Sequence, residues 1–472
     1  MNVDSSKAKR IAVIGGGISG LAAAHRIVEL DPKVELALFE ASDRLGGVIQ
    51  TEQHDGFLVE RGGDMFTTRE PWALELCQRI GFEDQLINTN AAQRRAFIVR
   101  QGKLVEVPQG FTLMSPSRLW PILTTPLLSV AGKLRLAKEI YLPAKSTRED
   151  ESLASFAIRR FGQQTFERII QPMIGGIYTA DPTKLSMAAT MSQFVEMEQE
   201  HGSVIRGMRK KNKQKTERAS GARYGMFLAP RAGLSSLIQA IADRLPKNCI
   251  QLNTPLESLR RDRQGWRLGF AGKAKEQIYD GVVLCTPARH SSCFLQPIDK
   301  ELAATIDQIS SASAAVVLIG LHRKSIQHPL NGFGFIVPAV ERRRILAGSF
   351  SSVKFENRAR PDEVLLRIFV GGALQEKLLE LDDDEIKKLV FEEVRELIGV
   401  RGAPLFCDVA RWHQGMPQYH VGHLELVAQI EKRVAKISGL EVAGNAYRGV
   451  GIPFCIHSGE QAAARVLGTP QS

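Results

Sequence analysis

Cysteine is scarce in this chain of 472 residues. It has six, Cys77, Cys249, Cys285, Cys293, Cys407 and Cys455. No two stand at C-x-x-C spacing, which excludes a zinc ribbon and a dithiol redox motif. Six thiols are too few to staple a chain this long, so free thiols in a reducing compartment are expected. No uninterrupted apolar run reaches the ~20 residues that cross a bilayer. The polar start Met1–Arg10 lacks the apolar core of a secretory signal. A cytoplasmic protein is therefore expected. His413, His420 and His423 match no standard metal spacing, with only Cys407 and Asp408 nearby, so no metal site is expected. The basic stretch Met208–Ser220 has no interleaved aromatics. It is expected to be an exposed loop with no nucleic-acid partner. Internal repeats and low-complexity tracts are absent.

Positive charge is in excess. Lys and Arg number 62 against 51 Asp and Glu, a formal net charge of +11, which favours anionic partners. The length predicts two or three domains. Ile11–Ile14 is a short apolar run, read as a buried strand. Glycines follow, then a helical pattern over Leu21–Leu30 and a second strand over Val34–Phe39. This is a strand-helix-strand unit. At its first turn, Gly15, Gly17 and Gly20 stand at G-x-G-x-x-G spacing, with Gly16, Ile18 and Ser19 between them. Such a turn lets the backbone approach a pyrophosphate at a helix N-terminus. Glu40 closes the second strand about 20 residues on, where a carboxylate accepts from ribose hydroxyls.

The segment Glu40-Ala41-Ser42-Asp43-Arg44-Leu45-Gly46-Gly47 resembles the E-A-x-x-R-x-G-G pattern of FAD enzymes in the amine-oxidase-like superfamily. The resemblance implies non-covalent FAD, with Arg44 facing the pyrophosphate and Gly46 and Gly47 passing close to the flavin. A distal segment, Gly444-Asn445 with Gly449-Val450-Gly451-Ile452-Pro453, precedes a helix whose positive end would sit near the flavin pyrimidine. The resemblance also places Ala41, Gly62, Gly63, Asp64, Met65, Leu256 and Trp412 at the cofactor. Cys455 lacks the surroundings of a covalent flavin link and reads as a buried thiol.

Further segments narrow the likeness. Arg411–Tyr419 with Gly422-His423, Gly332–Pro338 and Gly175–Pro182 join Gly444–Pro453 in resembling the protoporphyrinogen/coproporphyrinogen oxidases of haem biosynthesis, over nearly the whole chain. That family implies six-electron oxidation of a porphyrinogen to a porphyrin in three flavin cycles. Hydride passes to flavin N5, and O2 is the acceptor, giving H2O2. No catalytic side chain is needed, because the cofactor carries the chemistry. The substrate is an anionic tetrapyrrole. Arg69 is the candidate for its propionates, and Phe333, Ile336, Phe369 and Gly175 are the candidates for its macrocycle. The next haem-pathway enzyme is a further possible partner. The alternatives are an amine oxidase or carotenoid desaturase, or a non-catalytic tetrapyrrole-binding flavoprotein. Neither an aromatic cage nor a flavin-linked lysine can be located.

The expected fold class is α/β. A discontinuous Rossmann-type FAD domain takes 1–95, 222–292 and 404–472. A helical domain takes 96–205, a basic loop 206–221, and a mixed-sheet substrate domain 293–403. Trp120–Ala131 is almost wholly apolar, broken by Pro121 and Pro126 and flanked by Arg118 and Lys133. It reads equally as buried core or as a peripheral contact with the inner face of the membrane.

Overall fold

The computed structural model describes residues 8–116, 118, 120–147, 149–216 and 227–469, with backbone alone at 112 and 212–216. A five-stranded parallel sheet takes its strands from three distant stretches of chain. Their spatial order is Ile250–Gln251, Glu35–Phe39, Arg10–Ile14, Gly281–Leu284 and Leu440–Val442. Each central strand is apolar on both faces because both are covered. On one face pack the helices Ile18–Leu30, Leu234–Ala242 and Ile452–Leu467, through Ala22, Ala23, Leu237, Ile241, Ile456 and Ala463. The first and last of these touch closely. A Cβ on Gly459 would fall 2.1 Å from the Ser19 carbonyl oxygen, so only glycine fits at this position of the crossing. The other face is covered by the antiparallel strands Leu256–Asp262, Gly265–Phe270 and Gln277–Tyr279 and by the helix His423–Val434.

A second sheet has seven strands, in the order Phe406–Pro417, Ser311–His322, Glu363–Gly371, Ala347–Phe350, Gly334–Ile336, Phe97–Arg100 and Lys103–Glu106. Along Ser311–His322 the side chains alternate. Ala315, Val317 and Ile319 join the core under the helix Asp383–Ile398, while Val316 and Leu318 pack with Phe57 and Val59 of the nucleotide side. The helix itself starts at a capping box between Asp382 and Glu385. Two strands depart from the expected layout. Phe406–Pro417 pairs with Ser311–His322 rather than with the parallel sheet, and Phe97–Glu106 forms the opposite edge although it opens the stretch read as helical. Both are joined by long-range pairing, which local pattern does not reveal.

The remaining helices surround a separate core of Phe156, Phe161, Ile170, Phe194 and Tyr419. Inside it Glu139 accepts from Arg160 Nε at 2.9 Å, and Arg160 also reaches Glu198. The basic stretch is corrected here: Val204–Thr216 is helix, not loop. Its first turn is anchored by Glu139, which accepts the backbone N–H of Val204 at 2.9 Å and of Ile205 at 3.3 Å. A carboxylate at a helix N-terminus satisfies orphan donors and the dipole together. Val204, Ile205 and Met208 then bury the apolar side. Residues 217–220, the remainder of that stretch, lie outside the described residues.

Trp120–Ala131 resolves into two helices, Trp120–Thr124 and Val130–Ala137. Ile122, Leu127, Leu128 and Leu136 are buried, while Trp120 is 74% exposed, Val130 74% and Leu134 67%. The apolar side chains of this segment are therefore divided between a buried core and an exposed face. Among the described residues no helix is long and apolar enough to cross a membrane.

Candidate functional site

The glycine turn is held by its own packing. Gly15 has φ +107°, and a Cβ there would meet the Cys285 carbonyl oxygen at 2.6 Å. A Cβ on Gly20 would fall 1.8 Å from the Gly15 oxygen. Neither position admits another residue without moving backbone. Gly17 differs: a Cβ there would meet nothing within 4 Å. The protein does not need glycine at 17 for its own packing, so the open space lies where a ligand would approach. Gly17 is also the N-cap of the helix Ile18–Leu30, with no side-chain cap. Its uncapped N–H groups face that space. Ile18 and Ser19 are buried in the first turn.

Glu40 accepts from the Gly16 N–H at 2.6 Å and from Ser42 N–H and Oγ at 2.9 and 2.8 Å. A carboxylate offers about four acceptor positions, so one remains for a ribose hydroxyl. Ala41 is exposed beside it. Leu256 starts the antiparallel strand next door and sends its side chain into the core with Phe39 and Phe270. Arg44 donates to the carbonyls of Gly47 at 2.7 Å, Ile49 at 3.1 Å and Leu45 at 3.2 Å. It therefore shapes the Gly46–Gly47 turn, whose φ values are +103° and +59°. That turn bridges back to the glycine loop, with Gly46 N–H donating to the Gly16 oxygen at 2.9 Å.

The far end of the cradle is built from the other segments. Gly62 abuts the Val48 carbonyl, and Gly63 faces Leu234 and Ile452. Trp412 Nε1 donates to the Arg61 oxygen at 2.8 Å, tying the second sheet to this segment. Met65 packs with Ile87 and Phe355. Gly444 has φ +133° and, like Gly17, open space where a Cβ would stand. Asn445 is fixed by Tyr419, whose hydroxyl donates to its carbonyl at 2.6 Å. Val450 lies against the helical core. Gly449 is needed by the protein itself, because Phe454 occupies the place of a Cβ. Gly451 caps the helix Ile452–Leu467, and Pro453 sits in its first turn. Burial pushes the Cys455 thiol up to about 11, so it stays protonated and unreactive.

The candidate substrate residues come from three elements. The helix Gln171–Tyr178 carries Gly175 and Gly176, and a Cβ on Gly176 would touch Ile336 at 3.8 Å. Gln171 Oε1 accepts the Ala339 N–H at 3.0 Å and locks helix to sheet. Phe369 is half-buried on the strand face toward the nucleotide domain, with the Arg367 guanidinium over its ring. Phe333 is buried at the start of its strand. Arg69 is exposed, near Glu70. Burial pushes the Tyr178 hydroxyl up to about 12, and Arg69 is close enough to oppose that shift. Tyr178 and Gln171 were not singled out from the sequence. The buried charges Lys354 and Arg367, which bind Asp64, were missed as well. Arg367 within the apolar run Glu363–Gly371 was the available signal. Among the described residues no group of three metal-ligating side chains comes together.

Fold and cradle together define a flavoprotein with a Rossmann-type nucleotide fold. The chain belongs to the flavin containing amine oxidoreductase family, whose model matches residues 18–467. Its cofactor is FAD. Over 97% of its length the chain is 33% identical to coproporphyrinogen III oxidase of Bacillus subtilis, covering 98% of that protein. It is 29% identical over 96% of its length to chloroplastic protoporphyrinogen oxidase 1 of Arabidopsis thaliana, covering 87% of it. A crystal structure from Exiguobacterium sp. 255-15, assigned to the protoporphyrinogen oxidases, superposes with a TM-score of 0.87 at 30% identity, covering 98% of this chain and 99% of that one.

Proposed function

We propose that this chain oxidises a porphyrinogen to the porphyrin, with FAD as electron acceptor and O2 as the final oxidant. The observation that supports this reading most is Arg367, which donates to the Gly62 carbonyl and lies over the Phe369 ring, linking the flavin segment to the candidate substrate strand. Bound FAD supplies the hydride acceptor. The chain's own residues do the rest. Arg69 attracts a propionate at the exposed rim. Ile336 and Phe369 offer apolar surface to the macrocycle and exclude water. Six electrons leave in three rounds, and three O2 become three H2O2.

Coproporphyrinogen III is the favoured substrate. The relatives so named match at 33% and 32% identity, against 29% for the plant protoporphyrinogen oxidase. FAD-loaded protein is to be mixed with each porphyrinogen under anaerobic conditions, then with O2. Bleaching of the flavin, porphyrin fluorescence and oxygen uptake are expected, faster with coproporphyrinogen III. Flavin that neither substrate bleaches would end this reading.

The chain's position on the inner face of a membrane is part of the same proposal. Trp120, Leu123, Val130, Leu134 and Tyr141 are all exposed, with Arg118 and Lys138 exposed beside them. An apolar patch with basic neighbours suits an anionic lipid surface.

A further inference from the structure

Against the Gly62–Asp64 segment lies a group of buried charges. Asp64 Oδ2 is 2.5 Å from Lys354 Nζ and 2.9 Å from Arg367 Nη1. Arg367 also donates to the Gly62 carbonyl. Arg358 donates to the carbonyls of Arg231 and Pro230, each at 2.9 Å. Glu60 accepts from the Leu234 N–H and the Thr51 hydroxyl, each at 2.8 Å. Lys354 is 6% exposed, and Arg358, Arg367 and Glu60 are 2% exposed.

Three cations here meet two carboxyl groups. Burial pushes Glu60 up. Burial also acts on Asp64, but Lys354 and Arg367 outweigh it and hold that carboxyl below its ordinary range. Burial pulls Lys354 down and Asp64 pulls it back up; with Lys354 protonated, at least one positive charge is uncompensated by these carboxylates. Arg367 Nε, also buried, has no hydrogen-bond partner among the described residues. A buried cation without a counter-charge is costly, so the arrangement calls for an anion.

The neighbouring segment says which anion. Gly62 abuts Val48 beside the Gly46–Gly47 turn, and Gly63 faces Ile452, so the charges border the flavin end of the cradle. Taking up hydride, two electrons and one proton, turns the neutral isoalloxazine into a monoanion. The hydride leaves a substrate C–H bond, and its electrons pass on to O2 with protons to give H2O2. We infer that Asp64, Lys354 and Arg367 set the reduction equilibrium of the bound flavin, the excess positive charge favouring its reduced anion. This rests on the flavin assignment above. A substrate carboxylate is the weaker match, because these cations are buried whereas the Arg69 side chain is 47% exposed.

Anaerobic redox titration of FAD-loaded protein tests the inference. Lys354→Met is expected to lower the reduction equilibrium constant at least tenfold, about 30 mV for two electrons. Asp64→Asn removes the negative partner and is expected to move it the other way. Arg367→Lys keeps the charge and should stay near wild type. A purely structural brace would lose thermal stability in both charge variants without shifts of opposite sign, which would overturn the inference. A raised KM at unchanged potential would overturn it too. Should Lys354→Met be recovered without flavin, Asp64→Asn decides by its sign: a rise supports the inference, and a fall or no change overturns it. Wild-type protein that takes up no FAD would instead sink the cofactor assignment.

Discussion

The nucleotide cradle and the substrate face are built by different means. The cradle is made of backbone. Gly15, Gly20, Gly46 and Gly62 let main chain run against main chain, and the groups we propose to meet the cofactor are N–H donors and one carboxylate. The substrate face is made of side chains drawn from the helix Gln171–Tyr178, the second sheet and the loop at Arg69. A backbone site tolerates almost no substitution at its glycines but asks little of its neighbours. A side-chain site is the reverse, since each contact is separately replaceable and separately weak.

That contrast is sharpest within the glycine turn itself, where the largest effects are expected. Gly20→Val should abolish soluble, flavin-loaded protein, because its Cβ has no place to go. Gly17→Ala has room in the protein and should leave the fold and thermal unfolding intact, yet lose flavin from the purified sample. Flavin retained by Gly17→Ala at the wild-type ratio of visible to ultraviolet absorbance would break the distinction. Glu40→Gln comes next. Hydrogen bonds to a charged group contribute about 1.5–3 kcal/mol, so FAD dissociation should rise roughly tenfold to hundredfold, measured by fluorescence on reconstitution.

The same contrast explains what could be read before the structure. A backbone site leaves a fixed spacing in the chain, so Gly15–Gly20, Glu40 and Gly444–Pro453 were legible. The strand Ile11–Ile14 and the helix that follows it were legible because their patterns are local. Sheet membership of Phe97–Glu106 and Phe406–Pro417 was not, because pairing partners lie far apart in sequence. The helix Val204–Thr216 was misread because its anchor, Glu139, comes from another element. Lys354 and Arg367 escaped notice for the same reason: their meaning depends on Asp64, which no spacing links to them.

Away from the cradle, single side chains should matter less and one at a time. Burying an aromatic side chain contributes about 1.5–3 kcal/mol. Trp120→Ser should therefore weaken binding to phosphatidylglycerol vesicles roughly tenfold, with turnover on detergent-dispersed substrate unchanged. Co-sedimentation measures the first. Equal partitioning of variant and wild type would remove this patch from the membrane.

Arg69 should show the smallest effect, and its smallness is informative. Its side chain is 47% exposed and shares its field with Glu70. Water and salt screen such a charge, so a pair it forms contributes up to about 1 kcal/mol. Arg69→Ala should raise KM roughly fivefold while flavin content and the rate of flavin bleaching at saturating substrate hold steady. Added salt should raise the wild-type KM toward that of the variant, because screening removes the same attraction. A variant that lost flavin would place Arg69 in the cradle. One with unchanged KM at low salt would leave the propionates to be bound elsewhere on the substrate face.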